Sequence, residues 1–211
     1  DGVNFKVGTG VTIATTSGIA TFSSGRIVLN SSINNTSIGW GAGDAYTTGG
    51  KNTAYGYQAL SETTTGQYNT GLGAYSLEAN TTADYNTAIG FQALKLNTTG
   101  TENTAVGSEA LEANTTASYG TAVGYRALEA NTTGANNSAL GSYALDVNTT
   151  GANNSALGSY ALSSNTTADG NTSMGYQSLL LNTTGSKNVA VGAYALDAVT
   201  TTGTHTAIGY Q

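Results

Sequence analysis

Residues 86–102 read NTAIGFQALKLNTTGTE and residues 103–119 read NTAVGSEALEANTTASY. The two stretches align position for position over 17 residues without a gap. Downstream, the same frame passes through units beginning at Gly120, Asn137, Asn154, Asn171 and Asn188, and it stops seven residues into a unit beginning at His205. Upstream it passes through NTGLGAYSLEANTTADY (69–85) and NTAYGYQALSETTTGQY (52–68) to NTSIGWGAGDAYTTGGK (35–51). A period kept without insertion or deletion over residues 35–211 places every unit in an equivalent structural slot, which is the mark of a solenoid. The unit at 35–51 reads as a modified end rung, because Gly43 stands where later units have Leu and it carries the only tryptophan, Trp40.

Numbering each unit from its Asn-Thr start, position 4 is apolar or aromatic throughout and position 5 is always Gly. Position 3 is usually Ala, and position 8 is Ala or Ser. Position 9 is Leu in every full unit after the first: Leu60, Leu77, Leu94, Leu111, Leu128, Leu145, Leu162, Leu179 and Leu196. Positions 12–15, Asn-Thr-Thr-Gly or Asn-Thr-Thr-Ala in most units, are turn formers whose side chains bond their own backbone. Seventeen residues are too few for a helix pair, and Ala-Leu-Glu-Ala pieces such as 110–113 and 127–130 are too short to nucleate a helix. The pattern therefore predicts an all-β parallel solenoid with 17-residue rungs. Each rung would have one extended segment before the Gly at position 5 and a second at positions 7–10. Ten rungs stacked about 4.8 Å apart make a rod of about 48 Å. Two apolar columns are expected inside it, the position 9 leucines and the position 4 aliphatics such as Ile89, Val106 and Val123.

Composition narrows the function. The chain has 211 residues, with 29 Gly, no Pro, no Cys, only 9% charged residues and a net charge of −6. No basic stripe exists to neutralise phosphates, which argues against nucleic-acid binding. No apolar run approaches the roughly 18 residues of a membrane helix, which argues against membrane insertion. Nor does the start of the chain read as a signal peptide. Without cysteine there are no disulfides or thiolate metal sites, and neither a metal nor a cofactor is expected. So little large apolar surface per rung leaves a thin core, and self-association is the remaining route to stability. A parallel homo-oligomer is expected.

Asn-x-Thr sequons recur at Asn80, Asn97, Asn114, Asn131, Asn148, Asn165 and Asn182, to be read as glycan acceptors or as an asparagine ladder at one corner; we favour the ladder. Carboxylates recur at position 10 as Glu78, Glu112, Glu129, Asp146 and Asp197, a series interrupted by Lys95 and Ser163. They read as a solvated face rather than a hydrolytic pair. His205, the sole histidine, reads as an end residue, and no catalytic site is expected. Aromatic residues at positions 6, 7 and 17, the last being Tyr68, Tyr85 and Tyr119, either seal seams between protomers or contact a receptor; the candidate contacts are Tyr75, Tyr125, Tyr143, Tyr160 and Tyr194.

The stretch Asn-Thr-Ala-Ile-Gly-x-x-Ala-Leu at 86–94 resembles the repeats of trimeric autotransporter adhesin heads. With the following Asn-Thr-Thr-Gly at 97–100 it more closely resembles repeats of bacteriophage tail fibres and fibre-like bacterial surface proteins. The resemblance covers 35–211 and implies left-handed parallel β-rolls, three side by side about a threefold axis. The period departs from the shorter unit of the autotransporter heads, so inward and outward positions do not carry over. The resemblance further implies a non-enzymatic section of a homotrimeric fibre, on a virion tail or a bacterial surface. Such a section spaces or presents a surface for a host glycan or protein receptor. Residues 1–34, with short runs around Phe5, Val7, Val11, Ile13, Ile27 and Leu29, read as a strand-rich shaft or β-prism. Because the chain starts without Met and ends inside a rung, it reads as part of a longer polypeptide; the resemblance implies a virion anchor before it and an assembly chaperone after it. Two alternative functions are an ice-binding solenoid, from the Thr pairs at positions 13 and 14, and a glycan-cleaving fibre.

Overall fold

The computed structural model describes residues 34–210, all within the compact unit Ser31–Gln211. The shaft expected at 1–34 therefore lies outside the described residues apart from Asn34. Eleven three-residue strands, from β1 (Thr36–Ile38) to β11 (Thr206–Ile208), form one parallel sheet in strict sequence order. Every pairing joins residues 17 apart, as in Thr87↔Thr104, Ala88↔Ala105 and Ile89↔Val106. The chain is an all-β solenoid of about ten turns, one strand per turn and no helix among the described residues.

The second extended segment expected at positions 7–10 is absent; the backbone there turns. The leucines of position 9 all have φ between 50° and 54°, and the non-glycine residues of position 7 have φ between 52° and 60°. Left-handed residues on either side of position 8 bend a short chain sharply enough to close a rung, and they exclude the helix that Ala-Leu-Glu-Ala would otherwise favour. Stacking supports this costly backbone. Around the whole perimeter N–H groups bond to adjacent rungs: Thr70 N to Asn86 O (2.8 Å), Gly73 N to Tyr55 O (2.8 Å), Leu77 N to Ala93 O (3.0 Å), Ala79 N to Lys95 O (2.9 Å) and Thr98 N to Thr115 O (2.9 Å). The invariant Gly at position 5 is required by this closeness. At Gly124 φ is 139°, and a Cβ there would lie 2.5 Å from the Gly141 carbonyl oxygen of the next rung.

The interior differs from the expectation in one respect. Leu60 through Leu179 are fully buried, while Leu196 is half-buried near the open end. The second apolar column is alanine, at positions 3 and 8, as in Ala88, Ala93, Ala105 and Ala110. The position 4 residues point outward: Ile89 is 37% exposed, and Val106 and Val123 are half-buried. The pleat sends positions 2 and 4 to one face and position 3 to the other, and a 17-residue loop around a column of leucine has room opposite it only for a methyl group. Rung nine confirms the facing of positions 3 and 8, since both are serine there and Ser173 Oγ lies 2.5 Å from Ser178 Oγ.

Two asparagine columns complete the interior. At position 12, Nδ2 of Asn97 donates to Oδ1 of Asn80 (3.0 Å), and Nδ2 of Asn114 donates to Oδ1 of Asn97 (2.7 Å). At position 1, each asparagine Oδ1 accepts the N–H of the residue 17 positions on, as Asn69 Oδ1 does from Asn86 (2.9 Å). The two columns meet on the position 15 carbonyl: Ala83 O accepts from Asn69 Nδ2 (2.8 Å) and from Asn80 Nδ2 (3.1 Å). In the first rung, where Gly43 leaves the leucine slot open, the ring of Tyr46 packs against the core. Burial pushes its hydroxyl up to about 12, with Ser37 opposing.

Candidate functional site

Positions 6 and 7 turn the corner after the strand, and in every unit except 103–119 one of the two is aromatic. The axial repeat converts this into a spine. Trp40, Tyr57, Tyr75 and Phe91 follow one another at centroid distances of 5.2, 5.2 and 6.1 Å. Tyr125, Tyr143 and Tyr160 continue it at 5.3 and 4.9 Å, and Tyr176, Tyr194 and Tyr210 at 5.4 and 5.8 Å. All five tyrosines singled out from the sequence lie in this spine. Tyr125 and Tyr160 are exposed, while Tyr75, Tyr143 and Tyr194 are half-buried among their neighbours. Where rings stack flat, as Tyr143 and Tyr160 do at 12°, their faces are spent on each other and edges with hydroxyls look outward. Burial raises the hydroxyl pKa of Tyr143, and the adjacent Tyr125 adds to the effect.

The fifth rung, where the aromatic is missing, carries charge instead. Arg126 Nε bonds Glu109 Oε2 at 2.6 Å and lies 3.5 Å from Glu129 Oε2. Carboxylate oxygens of Glu109, Glu112 and Glu129 come within 4.8 Å of one another, the one such group among the described residues. Burial raises the Glu112 carboxyl, with Glu109 and Glu129 adding to it. Directly above, burial pushes Asp146 up to about 6. Arg126 neutralises part of this cluster, and the side chains of Glu109, Glu129 and Arg126 stay 17–37% exposed on the outer corner.

The sequon asparagines are buried to within 1% of completely, with their amide nitrogens bonded inside the ladder, so no glycan reaches them in the folded chain. The Thr pairs, which lie in the bend after the asparagine, split between inside and outside. Position 13 hydroxyls turn to carbonyls of the next rung, as Thr98 Oγ1 does to Thr115 O (3.0 Å), while the position 14 threonines form a single exposed column. His205 Nε2 lies 2.9 Å from Thr202 Oγ1 on the last rung.

The most extensive surface feature was missed by reading position 4 as core. Positions 2 and 4 of the sheet form parallel columns along the whole rod, Thr or Ser except for Val189 at position 2, and Ile, Val, Leu or Met except for Tyr55 at position 4, without a charged residue. Ile38, Tyr55, Leu72, Ile89, Leu140, Leu157, Met174 and Ile208 are all exposed. Between the columns a cleft is lined by Thr121, Ser138, Leu140, Ser155, Leu157 and Met174. The signal for this face was available: position 3 holds only Ala, Gly or Ser, a restriction expected of the crowded side. No helix among the described residues is long and apolar enough to cross a membrane. Comparison with known protein families, with curated proteins and with solved structures finds no match to this chain.

Proposed function

We propose that residues 35–211 form a rigid, non-enzymatic section of a homotrimeric fibre, a phage tail fibre or a fibre of a bacterial surface. The fibre spaces or presents receptor-binding surface to a host cell. The observation that carries this reading is the uncharged Thr/aliphatic sheet face. It measures about 48 by 10 Å, roughly 480 Å² of mixed Thr and aliphatic surface, in the size range of the largest patches on a monomer, which are often functional. The side chains of its position 4 column differ in size from Tyr55 to Val106, so the face suits interdigitation with a protein rather than contact with a regular lattice. A second copy supplies the same columns at the same axial spacing, so parallel copies can match rung for rung. In this arrangement the rolls are left-handed and lie side by side around the sheet faces. The aromatic spine and the variable corners stay outside, where any host glycan or protein is met by three weak copies at once.

The test is the mass in solution of the unmodified chain and of Leu140→Glu/Leu157→Glu. We expect a trimer that the double substitution converts to a monomer with its β spectrum intact. A monodisperse monomer of the unmodified chain at micromolar concentration overturns the proposal. Attachment to host cells, measured after replacing the exposed tyrosines of rungs 86–153 by serine, separates presenting from spacing.

A further inference from the structure

The uncharged sheet face is not uniform along the rod. Position 2 is Ser in two rungs only, at Ser138 and Ser155, and both carry Leu at position 4, as Leu140 and Leu157. Serine lacks the methyl group that threonine adds to this column, and the cleft between the columns opens at this level, lined by Ser138 and Ser155 as well as by the two leucines. Met174 follows in the next rung, paired with Leu157. Leu140, Leu157 and Met174 are all exposed. None is branched at Cβ, so they reach further from the sheet than Val106 and Val123 in the two rungs below. A recess and a run of long projections thus fall at one axial level, in columns about 7 Å apart.

The partner that fits this face is a second copy in the parallel ring proposed above, and the inference rests on that reading. A threefold rotation carries each face onto the next, so the position 4 side of one copy meets the position 2 side of its neighbour. At each level every copy then offers one projection and one recess. Area favours the ring over a pair. Two such faces bury about 960 Å², short of the roughly 1,200 Å² at which stable interfaces begin, whereas three bury about 1,440 Å² in one assembly. No charge has to be desolvated, because the strand residues of the face hold none.

We infer that Leu140 and Leu157 of each copy seat in the recess over Ser138 and Ser155 of the next copy. Three long side chains in succession cannot lean aside into one another's levels, so the space they need lies in the neighbour, where the two serines provide it. In the rungs below, Thr104 with Val106 and Thr121 with Val123 give the converse match, a fuller position 2 against a shorter position 4.

The experiment uses the full chain in two forms: Ser138→Thr/Ser155→Thr fills the recess, and Leu140→Val/Leu157→Val shortens the projections. Thr70 beside Leu72 and Thr121 beside Val123 already stand on this face, so both forms should keep the β spectrum of the parent. Each is expected to weaken trimer association about fivefold or more. The two forms are then refolded together in equal amounts, one carrying a mass tag, and native mass spectrometry counts the trimers. A filled recess meets a shortened projection only across copies, so mixed trimers should exceed the random share of about three-quarters for cyclic contacts of this kind. Mixed trimers at the random share, or a Ser138→Thr/Ser155→Thr chain that associates as the parent does, overturn the inference and leave the trimer standing. A parent chain that stays monomeric overturns the reading beneath it as well.

Discussion

Gly120 is the one position between 52 and 188 where the position 1 asparagine ladder is broken. Its own N–H still bonds Asn103 Oδ1 at 2.8 Å, but it offers no carboxamide to the rung above. Asn137 N–H therefore lacks the side-chain acceptor that serves Asn103 from Asn86 and Asn154 from Asn137, both at 2.9 Å. Asn137 Nδ2 also spreads itself over Gly134 O (3.0 Å) and Gly151 O (2.6 Å), covering the carbonyl that residue 120 would have served. Gly120→Asn restores both links. A Cβ there meets Asn103 Oδ1 at 2.9 Å and Leu111 Cδ1 at 3.4 Å, and the closer contact is the tip of a side chain that stands beside an asparagine in other rungs. Satisfying a buried N–H recovers about 1–3 kcal/mol, a second buried bond adds about 1, and losing glycine's freedom in the unfolded chain adds about 0.5–1. Ordering and desolvating the carboxamide removes about 2. The expected net gain of about 2 kcal/mol corresponds to about 4–8 °C in Tm for a chain of this size. Thermal melts of Gly120→Asn beside Gly120→Ala separate the ladder from the backbone effect. An asparagine variant that melts no higher than the alanine variant refutes the reasoning.

Leu128→Ala, at a fully buried site, should cost about 2–5 kcal/mol by denaturant melting, and Leu128→Asp should cost more because it buries an unpaired charge. Gly124→Ala drives a methyl into the Gly141 carbonyl and should lower stability by at least about 3 kcal/mol, since backbone strain and a clash add. Asp146 holds its proton more tightly folded than unfolded, because burial raises it to about 6. The stability it contributes in acid is lost as pH rises from about 4 to about 6, so Asp146→Asn should flatten that window and gain about 1 kcal/mol at pH 7 after solvent screening. Gln92→Gly, which relieves a non-glycine residue at φ 57°, should be neutral to stabilising by up to about 1 kcal/mol in the same melts.

The period, the Gly at position 5 and the Leu at position 9 were legible because each is repeated without exception in the units after the first. The phase of the strand was not. Alternation says that positions 2 and 4 share a face and leaves open which face is inside. Reading Ile89 and Val106 as core follows apolar size, whereas the rung's small bore selects Ala88 and Ala105. The left-handed corners escaped because their occupants, Gln92, Leu94 and Tyr119, are not the residues that favour that conformation. The Asn136, Asn153 and Gly170 of position 17 were the only local hint. The aromatic spine could be read as a set of tyrosines, but its rise from edge to face and back depends on rotamers that a repeat pattern does not encode. The position 12 ladder followed from the repeat itself, while the position 1 ladder required knowing that both asparagines turn inward.

Axial bonding around the entire perimeter determines how such a rod would respond to force. A pull applied between its two ends loads several backbone bonds per interface at once and along their own direction. Force on a single chain terminus instead opens the outermost rung alone, bond after bond. Each rung that peels away frees 17 residues, lengthening the tether by about 55 Å. Stretching from the termini should therefore give a sawtooth of nearly equal steps, with the weakest tooth where Gly120 and Asn137 meet.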